Sequence, residues 1–149
     1  MAERRADWAR TSCACAECVA CCKRQPGALA PGEFERIAAF LGEDREEAKV
    51  HFWASPGALV MDTQTGRTFR IGTVTPRMEG GRCVFLDAQD RCRIHPVAPF
   101  GCAMFDTHMG AEEGLRRGTW LAAAQQQDDA YRALRAELPP ASSHRPTGY

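Results

Sequence analysis

Cysteine is the residue type in this chain whose chemistry is easiest to read. Eight cysteines occur among 149 residues, and they are unevenly placed. Cys13, Cys15, Cys18, Cys21 and Cys22 crowd one short segment, while Cys83, Cys92 and Cys102 follow near the middle of the chain. The run Cys15-x-x-Cys18-x-x-Cys21-Cys22 lets one turn of backbone present several thiolates to a single ion, the spacing used by zinc knuckles and ferredoxin-type clusters. If that segment is helical, Cys15, Cys18 and Cys22 form one stripe and Cys21 points about 100° away from Cys22. A tetrahedral zinc and a cubane cluster each need only four thiolates. The candidates Cys15, Cys18, Cys21, Cys22, Cys83, Cys92 and Cys102 therefore leave room for two sites, for one site with a redox-active pair, or for cysteines packed as small apolar side chains. Cys13 stands outside the regular spacing.

Other residues could join such a centre. His95 and His108 flank Cys102, and imidazole nitrogen suits zinc and some iron sites. Their plainer readings are a turn residue beside Pro96 and a hydrogen-bonded loop histidine. His51, beside Phe52 and Trp53, reads as a satisfied core histidine. Asp106 could orient a ligating histidine, but a loop aspartate such as Asp106 or Asp87 has a sufficient role in turn formation. No Gly-rich phosphate loop, nucleophile elbow or His-Glu-x-x-His motif is present, so the chain names no reaction and enzyme status stays open.

The elements that must hold these thiols are short. The cysteine-rich segment reads as a knuckle running into a short helix that Pro26-Gly27 stops. Phe34, Ile37, Ala38 and Leu41 follow helical spacing, with Gly42 placed as a C-terminal cap. A second helix is expected from Asp44, as N-cap, to Trp53. Leu59 to Met61 and Arg67 to Thr75 read as a hairpin around Thr63-Gln64-Thr65-Gly66. Val84 to Leu86 and Arg91 to Ile94 form another. With Ala88-Gln89 as its two-residue loop, Phe85 faces Cys92, and Cys83 shares that face. From about Thr119, Trp120, Ala124, Gln127, Tyr131, Leu134 and Leu138 mark a helix whose stripe docks on its own domain rather than forming a coiled-coil seam.

Composition narrows the setting. Leu, Ile, Val and Phe supply about 16% of the chain, below the roughly 20% at which apolar packing becomes doubtful, so a bound metal is a natural source of further folding energy. Nineteen cationic residues balance nineteen acidic ones, which gives no basic footprint for nucleic acid. The Arg116-Arg117 pair reads as solvated surface. The charged opening has no apolar signal core, and no stretch approaches the roughly 20 apolar residues of a membrane span. A cytoplasmic protein is expected, where reduced cysteines serve metal or redox chemistry more than disulfides.

Four stretches together make a more specific pattern: Cys15-x2-Cys18-x2-Cys21-Cys22, Gly81-Arg82-Cys83-Val84-Phe85-Leu86-Asp87, Cys92-Arg93-Ile94-His95 and Pro99-Phe100-Gly101-Cys102. In order and spacing they resemble the YkgJ-type cysteine-cluster family, and the helix opening Pro31-Gly32-Glu33-Phe34 extends the likeness over about residues 13 to 106. The resemblance implies a zinc- or iron-chelating domain. Flagellin lysine methylases look similar in carrying this motif with an iron-sulfur cluster. The family usually has tyrosine where His95 stands and arginine where Ala98 and Ala103 stand. Two cations able to neutralise a thiolate-rich centre or bind an anionic partner are therefore missing.

The expectation is an α+β fold, a small single domain of helices and short hairpins in which the knuckle and the Cys83 to Cys102 region converge on one centre. Residues 11–110 form the cysteine-cluster domain, 111–138 a helix packed on it, and 139–149 a flexible tail. The three-residue cysteine spacing favours an iron-sulfur cluster of the 4Fe-4S type with an electron-transfer or accessory redox role. The alternative is a structural zinc module that mediates a protein interaction. Expected partners are the metal and a protein redox or enzyme partner, with no nucleic acid and no membrane; a monomer is favoured over a dimer through 119–138.

Overall fold

The structure, a computed structural model, describes residues 10, 16–57, 59–62 and 64–141, with positions 18, 19, 21, 22 and 59–61 described by their backbone alone. The chain opens with helix α1 (Ala16–Arg24). Helix α2 (Glu33–Leu41) buries Phe34, Ile37 and Ala38 along one side, as the spacing predicts, and ends at Gly42 in the left-handed conformation with φ 69°. Asp44 then caps α3 (Arg45–Lys49) through a reciprocal pair of bonds with Glu47.

The expected helix to Trp53 stops at Lys49, because Phe52 to Ser55 are taken by a strand. Strand β1 (Phe52–Ser55) pairs antiparallel with β4 (Thr73–Pro76), Phe52 opposite Pro76 and Ser55 opposite Thr73. The indole of Trp53 donates to Thr75 Oγ1 at 2.9 Å across the pair. Between them, β2 (Leu59–Met61) and β3 (Thr68–Arg70) form the expected hairpin, but its second strand stops at Arg70, and Thr73 to Thr75, expected to continue it, belong to β4 and pair with β1. A hairpin not anticipated from the sequence follows: β5 (Met78–Glu79) pairs with β6 (Arg82–Cys83) around Gly80-Gly81, both at positive φ.

The chain continues through a 3-10 turn (His95–Val97) into α4 (Phe100–Ala103). In place of the single helix expected toward Leu138 there are two, α5 (Ala111–Gln127) and α6 (Asp129–Glu137). Asp128 interrupts the stripe and caps α6 by accepting the Tyr131 N–H at 2.7 Å. Of the expected tail, Pro139 and Ala141 bond to Ala54 on β1, and residues 142–149 lie outside the described residues. Short antiparallel pairs beside helices make the fold α+β.

Two apolar clusters hold these elements. In the first, Phe34, Phe52 and Phe85 meet with ring centroids 5.5 and 5.7 Å apart and pack with Ile37, Val74, Ile94 and Leu134. In the second, Phe100 stacks on Trp120 at 5.1 Å beside Ala103, Met104 and Leu121. Leu29 buries in the first and its neighbour Ala30 in the second, so the segment after α1 forms the seam between them. Arg117 is no surface residue: it is buried and donates to Met104 O at 2.8 Å, joining α5 to the end of α4.

Candidate metal centre

Each expected ligand has a definite address or falls outside the described part. Cys13 and Cys15 lie outside the described residues. Cys18, Cys21 and Cys22 lie on α1, and their side chains fall outside the description as well. Cys83 ends β6 and is buried in the first cluster. Cys92 is half-buried opposite Leu86, and Cys102 is half-buried in α4 beside the second cluster. Among the described residues, no three side chains of metal-binding type gather as a ligand set, so Cys83, Cys92 and Cys102 do not form one by themselves.

The second hairpin departs from its expected register. Asp87 N–H donates to Arg91 O at 2.9 Å, which makes Ala88-Gln89-Asp90 a three-residue loop with Asp90 left-handed at φ 62°. Leu86, not Phe85, stands opposite Cys92. A one-residue slip reverses which face a side chain takes. Leu86 N–H also bonds back to Cys83 O at 3.1 Å, a turn rather than an extended strand. The strand alternation that put both thiols on one face therefore does not hold.

Among the described residues, the structure brings together the backbone of α1, which carries Cys18, Cys21 and Cys22, and that of β6, which ends at Cys83. Helix α1 packs beside β6. Lys23, directly after Cys22, forms an ion pair with Asp90 at 2.6 Å, and Arg82 meets the other carboxylate oxygen at 2.5 Å. The Lys23 hydrogen bond, with the charges of Lys23 and Arg82, holds the Asp90 carboxyl below its ordinary range. Past the end of α1, the Gly27 N–H donates to Cys102 Sγ at 3.1 Å. A side chain on Gly27 could not fit there, since its Cβ would lie 2.2 Å from the carbonyl carbon of Gly101.

His51, His95, Asp87 and Asp106 have contacts among the described residues that fit their plainer roles. His51 Nε2 lies 2.9 Å from Glu43 Oε2. His95 is exposed at the start of the 3-10 turn, and Arg10 bonds its carbonyl and approaches its Nδ1 at 3.3 Å. Asp106 Oδ1 accepts the backbone N–H of His108, and Asp87 Oδ1 accepts those of Gln89 and Arg91, both as loop caps. The bonds from Arg91 and Gln89 also hold the Asp87 carboxyl below its ordinary range.

A family model described as "CxxCxxCC: Putative zinc- or iron-chelating domain" matches residues 14–131. The chain belongs to this CxxCxxCC family. The match runs from ahead of α1 into α6 and so takes in the Cys15 to Cys22 run and Cys83, Cys92 and Cys102 of the CxxCxxCC domain, with Cys13 just outside it. No curated protein and no solved structure matches the chain. No helix among the described residues is long and apolar enough to cross a membrane.

The surroundings suit a thiolate centre in this CxxCxxCC domain. A bound thiolate keeps negative charge in a half-buried place, and a backbone N–H aimed at sulfur offsets part of that cost. Gly27 supplies such a donor to Cys102, and it lies on the segment that leaves the α1 cysteines.

Proposed function

We propose that this CxxCxxCC protein holds an iron-sulfur cluster and serves electron transfer or an accessory redox step. The thiolates come from two sources: Cys15, Cys18, Cys21 and Cys22 at the start, and Cys83, Cys92 and Cys102 from β6, the hairpin and α4. Four of them hold the cluster, and the remainder pack or form a second reactive site. When bound, such a cluster supplies reversible electron transfer at a potential set by its charge, exposure and hydrogen bonds to sulfur.

The reading rests on one observation above the others, the N–H of Gly27 donating to Cys102 Sγ at 3.1 Å. It joins the end of the first cysteine segment to a sulfur of the second. The chain's own residues then do three things: α1 beside β6 brings the two segments together, Lys23 and Arg82 anchor the loop at Asp90, and Gly27 aims a donor at sulfur.

One feature favours a closed zinc site that supports a protein interaction. Ala103 follows Cys102, where bacterial ferredoxin runs carry proline after the last cysteine. Metal, acid-labile sulfide and the visible spectrum of anaerobically purified protein separate the two. The cluster reading expects a brown protein with about four iron and four sulfide per chain. Colourless protein with stoichiometric zinc would move the function to the structural module, and metal-free protein with its cysteines oxidised in pairs would end both readings.

A further inference from the structure

One buried carboxylate bonds both the segment that follows the α1 cysteines and the start of the helix that carries Cys102. Glu33, the first residue of α2, is 3% exposed. Its Oε1 accepts the backbone N–H of Ala30 at 2.6 Å and that of Phe100 at 2.8 Å. Ala30 lies on the segment that begins with Gly27, the donor to the Cys102 sulfur. Phe100 opens the short helix that carries Cys102. Between these points the two backbones touch: Gly101 N–H donates to Ala28 O at 2.9 Å, and a Cβ on Gly101 would lie 2.5 Å from Ala28 N.

A carboxylate is costly to bury and is ordinarily retained where its charge is answered. Here a single oxygen takes two N–H groups from chain segments far apart in sequence, and charge-assisted bonds of this kind are roughly twice as strong as neutral ones. A local Ser, Thr or Asn cap would satisfy the start of α4 equally well. It would not tie that start to residues 27–30.

We propose that Glu33 is a positioning residue for the metal centre. It fixes the segment following the α1 cysteines against α4 and so holds the Cys102 sulfur where it can ligate, without itself touching the metal. The inference rests on the proposed centre, with Cys102 among its ligands.

The test follows release of the native metal to excess chelator from the full-length protein, in Glu33→Ala, Glu33→Gln and the packing control Leu134→Ala, with the urea midpoint measured beside each rate. Leu134→Ala opens a cavity in the first apolar cluster and keeps every cysteine. Glu33→Ala is expected to speed release about tenfold, the effect of losing roughly one buried hydrogen bond. Glu33→Gln keeps an acceptor oxygen and is expected to change the rate by no more than about threefold. Leu134→Ala should lower the urea midpoint at least as far as Glu33→Ala and change release by less than about twofold. Equal acceleration in Leu134→Ala would make Glu33 a packing residue and overturn its positioning role while leaving the metal centre standing. Wild-type protein without stoichiometric metal would overturn both together. If Glu33→Ala does not fold, Glu33→Asp, whose shorter side chain draws the oxygen back from Phe100, takes its place under the same criterion.

Discussion

Lys23 Nζ lies 2.6 Å from Asp90 Oδ2, so the residue directly after Cys22 is tied to the loop between Cys83 and Cys92. Asp90 also accepts from Arg82 and sits at φ 62°, a conformation that aspartate and asparagine tolerate better than alanine. Asp90→Asn should therefore lower the urea midpoint slightly, and Asp90→Ala should lower it further. The Asn deficit should shrink in high salt, because the lost pair is partly exposed and screened. Equal losses in the two variants, or losses indifferent to salt, would contradict the role assigned to this pair.

The crossing of Gly27 and Gly101 makes a prediction of opposite sign to that for two other glycines. An added Cβ at position 27 or 101 runs into opposing backbone, so Gly27→Ala or Gly101→Ala should cost about 3 kcal/mol or prevent folding. Gly114 and Gly118 lie inside α5 with nothing among the described residues within 4 Å of an added Cβ, and alanine there should stabilise by about 0.5–1 kcal/mol each. Thermal or urea unfolding of the four variants reads both effects.

Much of the local structure was legible in the sequence because short-range chemistry decides it. Gly42 ends α2, Asp44 and Glu47 box the start of α3, and the β2–β3 hairpin lies where strand formers flank turn residues. The misreadings have long-range causes or depend on a single turn residue. Phe52 and Trp53 read as the end of a helix and become the start of a strand, because β4 pairs along one edge and Pro139 and Ala141 bond to Ala54. Asp90 in the left-handed region adds a third loop residue and shifts Cys92 by one place.

For the candidate site, the cysteine spacing gave the ligand types, but no periodicity reveals that residues 27–30 touch 99–102. Two glycines with Pro26 before one and Cys102 after the other were the only hint. Glu33 reads as an ordinary first-turn acid, and Arg117 as half of a surface pair; both are buried. The Gly80-Gly81 pair, both at positive φ, is itself a hairpin signal of short range.

Tyr131 gives the alkaline limit of the fold. Its buried hydroxyl accepts from Val74 N–H at 2.8 Å and Gln125 Nε2 at 3.2 Å, and burial pushes the phenol up to about 12. A pKa raised by folding contributes stability that is whole below pH 10 and lost as pH rises toward 12, about 3 kcal/mol in all. Tyrosinate absorbance should therefore rise late, together with alkaline unfolding, and Tyr131→Phe should remove that late component. Ionisation of Tyr131 near pH 10 in protein that remains folded would refute the buried network.

The central claim is that cysteines distant in the chain serve one centre, and metal content of single Cys→Ser variants tests it most directly. Cys18→Ser, Cys83→Ser, Cys92→Ser and Cys102→Ser are purified anaerobically beside wild type and analysed for iron, zinc and sulfide. Cys83→Ser, Cys92→Ser and Cys102→Ser should lose metal as severely as Cys18→Ser. Full metal retention in all three, with loss confined to Cys18→Ser, would contradict it.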